Sequence, residues 1–551
     1  MTSAEIRRAT SEVVGSAPFR EGQQEAIDAV LERDTLAVLA SGTGKTLIYQ
    51  VAAKVMEGNT LVVSPTIALQ HDQLGALREG GDAADLLNAS LPVTRQRAAL
   101  ARFSSGQLEF LLLAPEQLAK EDVVTALSQA PISLFVVDEA HCVSEWGHDF
   151  RPDYLGLRSV VTALGRPRVL ALTATASPRV RTEIVERLGM RDPALVVRGA
   201  DRPNIWLGVD LVGSDGAKRE ALVAAVRGAL SGELPADDSG TVAPGGPGIV
   251  YAATHGRCEE TAALLRAAGT DAAHYHGGMA RAERERAQDG FMSGQVPVIV
   301  ATSAFGMGVD KPDVRFVFHT EPPETLDAYY QEIGRAGRDG APARSTLFYL
   351  PADLGLPRFF SSGRGPGEAE LTGVLEVVRA DGPVRTTALA STTGLSRARV
   401  TAAVNALEIA GAVRRRKDRT VSATAVKAPA AELAGLAVER QERHRLYARS
   451  AVEMVRTYAD TTDCRRRIIL ELLGEEHPHR CGHCDNCDRG GSADQDDRPF
   501  PLGSRVRHPE WGVGTVQLYE EDDRVVVLFD EVGYKTLALA VVESHELLTP
   551  A

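Results

Sequence analysis

At 551 residues, with 44% hydrophobic and 25% charged residues, the chain is too long for one core and too apolar for global disorder. No apolar run is long enough to cross a bilayer and Met1 to Ile6 lacks the apolar core of a signal peptide, so no membrane partner is expected and the location is expected to be cytoplasmic. The formal net charge of −13 excludes a uniformly basic protein, yet basic clusters (Arg414-Arg415-Arg416-Lys417, Arg465-Arg466-Arg467) stand apart from acidic Glu520-Glu521-Asp522-Asp523, and binding depends on the local patch.

In chain order, Phe19 to Ile27 opens an amphipathic helix, where the amide of Gln23 has one donor and one acceptor to match the N6 and N7 edge of adenine. Leu36 to Leu47 is an apolar strand, a Gly-rich turn and a helix start. Gly42, Thr43 and Gly44 let backbone N–H groups close around phosphates, Lys45 reaches the β and γ phosphates, and Thr46 suits Mg²⁺. The full phosphate-loop pattern has Gly at the position of Leu39, so the match is partial. Leu61 to Leu74 and Phe110 to Glu116 read as apolar strands broken by Pro. Leu134 to Val137 is a continuous apolar run ending in Asp138-Glu139, as in a parallel strand covered on both faces. An Asp-Glu pair there is by itself more often a cap, but beside a phosphate loop Asp138 suits water-mediated Mg²⁺ binding and Glu139 orients or deprotonates the attacking water. Val169 to Ala176 repeats the form, and the hydroxyls of Thr173 and Thr175 are placed to link the nucleotide site to a moving part.

Asp201 to Asn204 reads as a hinge, and residues 213 to 247 contain loop-like Gly/Ala/Pro/Asp stretches. A second α/β set follows at Gly248 to Ala252, Ala273 to Gly278 and Val296 to Thr302, without another phosphate loop. In Tyr329 to Gly340, Arg335 and Arg338 are spaced to share one helical face, and Arg338 suits an arginine finger onto the neighbouring lobe's γ-phosphate.

With these motifs, residues about 15 to 350 resemble the two-lobed core of RecQ DNA helicases: Phe19 to Gln23, Asp138 to Cys142, Ser144 to Tyr154, Ala304 to Pro312 and Gln331 to Gly340 carry the likeness. The resemblance implies two RecA-like parallel-sheet lobes and a DNA-stimulated ATPase using ATP and Mg²⁺, tracking 3′ to 5′ on single-stranded DNA and unwinding forked or tailed duplexes in repair, recombination or replication, near the nucleoid. It assigns Arg20 and Gln23 to the nucleotide, Gln331, Arg335 and Arg338 to catalysis, and Trp146, His148, Phe150 and Arg151 to the loop that couples DNA to hydrolysis. Trp146 and Phe150 offer stacking faces and Arg151 a charge for phosphate. Departures are Ser16 for a frequent aromatic, Ser41-Gly42-Thr43-Gly44-Lys45-Thr46 for Thr-Gly-Gly-Gly-Lys-Ser, and Glu145 for a common Gln. An RNA helicase or nucleosome-type translocase shares the two lobes, and a docking ATPase using the site as a switch is the alternative from another class.

In the C-terminal third, a helix at 368 to 380 precedes a helix-turn-helix pattern, Thr386 to Thr393 and Arg397 to Ala410, and a basic wing at Ala412 to Ala423. This winged-helix-like segment comes before the zinc module, whereas the familiar RecQ order has it after. Arg399, Arg414 and Arg415 suit duplex contact. Cys464, Cys481, Cys484 and Cys487 provide four thiolates for a closed Zn²⁺ site and resemble the RecQ zinc module. Gly503 to Val516 and Val525 to Asp530 suggest a small barrel resembling the Tudor or SH3-like tail of UvrD-type helicases, which implies docking on RNA polymerase or another repair protein. The expected divisions are 1–200 and 201–355 for the lobes, 365–427 winged helix, 428–490 zinc module, 491–501 linker and 502–551 barrel.

Overall fold

The computed structural model describes residues 3–14, 18–40, 42–145, 150–233, 244–306, 310–355, 365–416, 420–475, 477, 479–490, 499–520 and 523–551. The chain divides into two compact units, residues 1–354 with 454–504 and 516–525, and residues 355–453 with 505–515 and 526–551.

The first lobe is a seven-stranded parallel sheet of β1 (Thr35–Leu39), β2 (Asn59–Val63), β3 (Ala84–Leu87), β4 (Phe110–Leu113), β5 (Ile132–Val137), β6 (Arg168–Thr173) and β7 (Ala194–Arg198), in the order β3-β4-β2-β5-β6-β1-β7. Its strands are apolar without alternation because both faces are covered: Leu36, Val38, Phe135 and Val137 enter one core, while Ala37, Leu39, Leu134 and Val136 enter the other. The order places β6 between β5 and β1. The ends carrying Asp138, Thr173 and the phosphate loop are therefore adjacent.

The second lobe is a six-stranded parallel sheet, β10-β11-β9-β12-β13-β8, built from β8 (Ile205–Leu211), β9 (Gly248–Tyr251), β10 (Ala272–Tyr275), β11 (Val298–Ala301), β12 (Phe316–His319) and β13 (Ala343–Tyr349). Three segments differ from the sequence reading, one of them Phe110 to Glu116, which is strand only to Leu113 and passes into the short helix Pro115–Leu118. The run Leu61 to Leu74 is strand only to Val63; past Pro65 it becomes the helix Ile67–Glu79, capped where the Thr66 hydroxyl accepts from Leu69 N. The Gly/Ala-rich stretch after residue 213 begins with the helix Asp215–Ser231, capped by Ser214, and residues 234–243 lie outside the described set.

Residues 365–427 form three helices, Glu368–Asp381, Thr386–Thr393 and Arg397–Ile409, with an antiparallel sheet of β14 (Val384–Arg385), β15 (Val413–Arg415) and β16 (Thr420–Ala423) in the order β14-β16-β15. Leu389, Val400, Leu407, Val413 and Val421 share its core. The long helix Ala430–Asp460 then leads to the helices Arg465–Leu472 and Asp485–Asp488. The C-terminal five-stranded sheet comprises β17 (Arg505–His508), β18 (Gly512–Glu520), β19 (Arg524–Phe529), β20 (Gly533–Ala538) and β21 (Thr549–Pro550), in the order β20-β19-β18-β17-β21.

The cluster Arg465-Arg466-Arg467 is not a surface patch. All three side chains are buried, and Arg467 is fully so. Arg465 is paired in bidentate fashion with Asp485 at 2.8 and 3.1 Å, Arg466 with Asp201 at 2.5 Å and Arg467 with Asp463 at 3.3 Å. A buried guanidinium persists only with such partners, and removing one member strands the other. Arg465→Ala should therefore destabilise the protein by about 3–5 kcal/mol, seen as a lower thermal midpoint by calorimetry; an unchanged midpoint would refute the brace.

Candidate nucleotide site and zinc centre

The phosphate loop leaves β1 and enters the helix Thr46–Val55. Gly42 and Gly44 have φ of +80° and +72°, which a residue with a Cβ adopts only under strain. Three polar side chains fasten the loop: Arg20 Nη1 donates to Gly42 O, Gln23 Nε2 donates to the carbonyls of Thr43 (2.5 Å) and Gly44 (3.2 Å), and Lys45 Nζ donates to Leu39 O (3.3 Å). The Gln23 carbonyl accepts from Arg20 N at 2.8 Å. In this structure the amide expected to face adenine thus holds the loop.

Asp138 ends β5, buried. Gln73 Nε2 donates to its Oδ2 at 2.6 Å and Glu139 N to its Oδ1 at 3.0 Å. Burial pushes its pKa up to about 6, the neighbouring Glu139 adds to the rise, and Lys45 opposes it. Glu139 has φ +47° and ψ 50°, a left-handed conformation costing about 1–2 kcal/mol in a non-glycine residue. His141 Nδ1 lies 3.3 Å from Glu139 Oε2 and 2.9 Å from Thr173 Oγ1, and the Thr173 hydroxyl is 2.9 Å from Thr175 O. Thr173 and Thr175 are buried, so here they are internal links, with no surface for direct DNA contact.

Of the segment expected to couple DNA to hydrolysis, Trp146 and His148 lie outside the described residues, as do Ser16 and Ser41. Phe150 and Arg151 are half-buried, and Arg151 Nη1 donates to Pro65 O at 2.6 Å, tying the loop to the end of β2. At the departure Glu145, an ion pair with Arg187 at 2.5 Å compensates the buried charge.

From the second lobe, the helix Leu326–Ile333 carries Gln331 and stops at Gly334. Arg335 and Arg338 therefore follow the helix in a turn, where Gly337 has φ +55°, and the expectation of one shared helical face is corrected. The turn is clamped from Asp201 to Asn204, the segment read as a hinge: Arg202 donates to the carbonyls of Gly334, Ala336 and Gly337 at 2.8–3.0 Å, and Asn204 Nδ2 to Gly337 and Ala341. Arg338 reaches the phosphate loop; a Cβ built on Gly42 would lie 3.3 Å from Arg338 Cγ. Burial, then the nearby Arg335, lower the Arg338 pKa, while Asp310 pairs with it at 2.6 Å. Arg335 is buried beside Tyr251 and Gly306.

Sequence reasoning missed Gln73, His141 and Arg202. Gln70 and Gln73 are both buried at a spacing of three on the helix Ile67–Glu79, a polar stripe facing inward that a helical reading of this run would have exposed. In the winged-helix-like segment Arg414 is exposed, Arg415 is paired with Glu408 at 2.9 Å and Arg399 with Glu370.

Cys464, Cys481, Cys484 and Cys487 bring four Sγ atoms within 4.8 Å of one another, and Cys481 Sγ lies 3.9 Å from Cys487 Sγ. Tetrahedral Zn–S bonds of about 2.3 Å require S···S separations of about 3.8 Å, so the thiolates fit Zn²⁺. Cys481 N and His483 N point at Sγ atoms at 3.4 and 3.3 Å, which suits thiolate charge; His483 is outside the ligand set.

Two parallel-sheet lobes, one carrying a phosphate loop and an acidic strand end and the other presenting arginines to that loop, have the architecture of the P-loop nucleotide-binding class. Residues 20–184 match the DEAD/DEAH box helicase family, 229–340 the helicase conserved C-terminal domain, 424–488 the RecQ zinc-binding family and 501–545 a family described as a protein of unknown function (DUF3553). The ATP-dependent DNA helicase RecQ of Pasteurella multocida is 40% identical over 342 residues, 62% of this chain and 51% of that protein. The probable ATP-dependent DNA helicase RecS of Bacillus subtilis is 38% identical over 367 residues, 66% of this chain and 71% of that protein. The chain belongs to the RecQ family of ATP-dependent DNA helicases, and it spans about half the length of the first relatives it matches. The fold is also that of the DUF1998 helicase MrfA bound to DNA, at TM-score 0.52, 17% identity, and coverage of 78% of this chain and 61% of that one.

Because the folded pKa of Asp138 lies above its unfolded value near 3.8, ionisation works against the fold: the cost is absent at low pH, grows as pH rises through about 6 and is full above it. Without nucleotide, Asp138→Asn should be more stable than wild type at pH 8 by on the order of 1–3 kcal/mol, with the gap closing toward pH 4; a melting-temperature gap independent of pH would contradict the buried-carboxylate assignment. Metal analysis of full-length protein after gel filtration and chelator treatment should find about one zinc per chain, falling to near zero in Cys484→Ser/Cys487→Ser. Well-folded zinc-free wild type would overturn the four-Cys site.

Proposed function

We propose that the protein is an ATP-dependent DNA helicase that tracks 3′ to 5′ on single-stranded DNA and unwinds forked or tailed duplexes in repair, recombination or replication. The observation that carries this reading is the approach of Arg338 from one lobe to the phosphate loop of the other, which makes the hydrolysis site an interlobe site. Gly42, Thr43, Gly44 and Lys45 take the ATP phosphates, Arg20 and Gln23 the base side, and Thr46 and Asp138 would hold Mg²⁺, whose charge neutralises the phosphates. Glu139 takes the proton of the attacking water, while Gln331, Arg335 and Arg338 meet the charge developing on the γ-phosphate. Closure of the lobes on ATP and opening after hydrolysis would supply the stroke.

DNA would be sensed by Trp146, His148, Phe150 and Arg151. The hydrogen-bonded series Thr175, Thr173 and His141, with Glu139 Oε2 3.3 Å from His141 Nδ1, supports a path from the strand ends to the water-activating carboxylate. The exposed Arg414 suits a duplex phosphate, as does Arg415 if it leaves Glu408. The zinc module braces the second lobe, and the C-terminal sheet is a docking module for RNA polymerase or another repair protein. The domain divisions stated above accompany this reading, and the place of action is the cytoplasm, on the nucleoid; among the described residues no helix is long and apolar enough to cross a membrane.

Strand displacement tests the reading. A 3′-tailed duplex should be unwound and a 5′-tailed one left intact, Lys45→Ala should abolish the activity, and Arg338→Ala should cut ATP turnover about 10³-fold or more while nucleotide affinity changes little. Stronger ATPase stimulation by single-stranded RNA than by DNA would favour an RNA helicase, and ATP hydrolysis without displacement a docking ATPase.

A further inference from the structure

A second cluster of metal-ligating side chains lies in the second lobe, outside both sites described above. His274 and His276 are two residues apart at the end of β10, the spacing that puts strand side chains on one face. His255 and Glu259 are four apart on the helix His255–Ala267, the spacing that puts them on one helical face. These faces meet. One donor atom each from Glu259, His274 and His276 lies within 4.8 Å of the other two, and Glu259 Oε1 is 3.0 Å from His276 Nε2. The His255 ring stacks on His276 at 4.4 Å and 18°, and that of His274 at 5.7 Å and 19°.

The hydrogen bond to Glu259 does not meet the needs of His276. That ring is 5% exposed, and its Nδ1 has no hydrogen-bond partner. Space on that side is kept by Gly278, where a Cβ would lie 3.0 Å from His255 Nδ1 and 3.2 Å from His276 Nδ1. Nε2 is the nitrogen turned to Glu259, so an ion shared by Glu259, His274 and His276 would sit on that side in place of the hydrogen bond, and a buried imidazole whose one polar contact is a carboxylate beside a second imidazole is well suited to it. Two imidazoles and a carboxylate form a mixed N/O set that selects a borderline divalent ion such as Zn²⁺ over the hard ions Mg²⁺ and Ca²⁺. Glu259 is exposed, giving the ion a way in.

We infer that Glu259, His274 and His276 form a second divalent transition-metal site, distinct from the four-cysteine centre, with His255 as a positioning residue stacked on His276. A bound ion would tie the end of β10 to the helix His255–Ala267, stiffening the turn from His276 to Met279.

The test uses full-length protein stripped of loosely held metal on a chelating resin but retaining its four-cysteine zinc, titrated with Zn²⁺ alone against a chromophoric chelator. Wild type should take up one further equivalent, and when Co²⁺ is added in place of Zn²⁺ to the same zinc-retaining protein, X-ray absorption at the cobalt edge should show only N and O neighbours. His274→Gln and Glu259→Gln, which preserve side-chain volume, should each weaken that uptake about ten-fold or more, with far-UV circular dichroism and tightly held zinc unchanged. Mg²⁺ in excess should not compete. No second equivalent in wild type, sulfur neighbours around the added ion, or wild-type affinity in both variants would overturn the site.

Discussion

A carboxylate without water must be held by protein groups, and Asp138 is where that requirement organises the first lobe. It is buried at the end of β5, so its charge must be met by the Gln73 amide, the Glu139 N–H and the field of Lys45. These come from three separate elements. The helix after β2, the turn after β5 and the loop after β1 are thereby brought to one point, and the left-handed φ of Glu139 redirects the chain beyond the carboxylate pair at a cost in strain. Burial also leaves the site under-neutralised, which favours a divalent ion beside it. Chemistry and fold share the same atoms here.

The second lobe meets the same constraint with the sign reversed. Arg335 and Arg338 are guanidinium groups withdrawn from water, carried on a turn that would not hold its shape alone. Arg202 fixes that turn by donating to the carbonyls of Gly334, Ala336 and Gly337, and Asn204 donates to those of Gly337 and Ala341. A guanidinium proposed to meet a phosphate needs its backbone placed to within a fraction of an ångström. The segment that reads as a hinge supplies that placement, so movement between the lobes, if it pivots there, must carry the arginine turn along rigidly.

Much of the nucleotide site was legible because its motifs use local chemistry: glycines at positive φ before Lys45, and acidic residues at the end of an apolar run. Fold class and the four-cysteine centre were legible for the same reason, as was the helix-turn-helix with its basic wing. What escaped was set by tertiary partners. Nothing local distinguishes the buried Arg465 to Arg467 from the exposed Arg414; the difference is Asp485, Asp201 and Asp463 waiting in the fold. Gln73 escaped because its run was read as strand, whereas Pro65 and the cap Thr66 turn it into helix. The strands β3, β7, β8, β12 and β13 went unread, being short or flanked by charge, and their strand state depends on the sheet that receives them.

That dependence on partners also explains where the zinc module acts. The helix Asp485–Asp488 is capped by one cysteine of the four-cysteine set, Cys484, and contains another, Cys487, and its carboxylates bond to the second lobe. Asp485 accepts from Val209 N on β8 and from Arg465, Asp488 accepts from the Trp206 indole, and Arg344 stacks over that indole at 3.6 Å. Cys484 pairs with Leu207 of β8 as an isolated bridge. Since β8 is the outer strand of its sheet, these groups cover an edge that would otherwise present unpaired backbone to solvent. A metal held by Cys484 and Cys487 would fix Asp485 between them and Asp488 next to Cys487, and so would steady β8 and, through β13, the sheet carrying the arginine turn. The centre is local in sequence, but its mechanical consequence belongs to the lobe whose arginine turn approaches the phosphate loop.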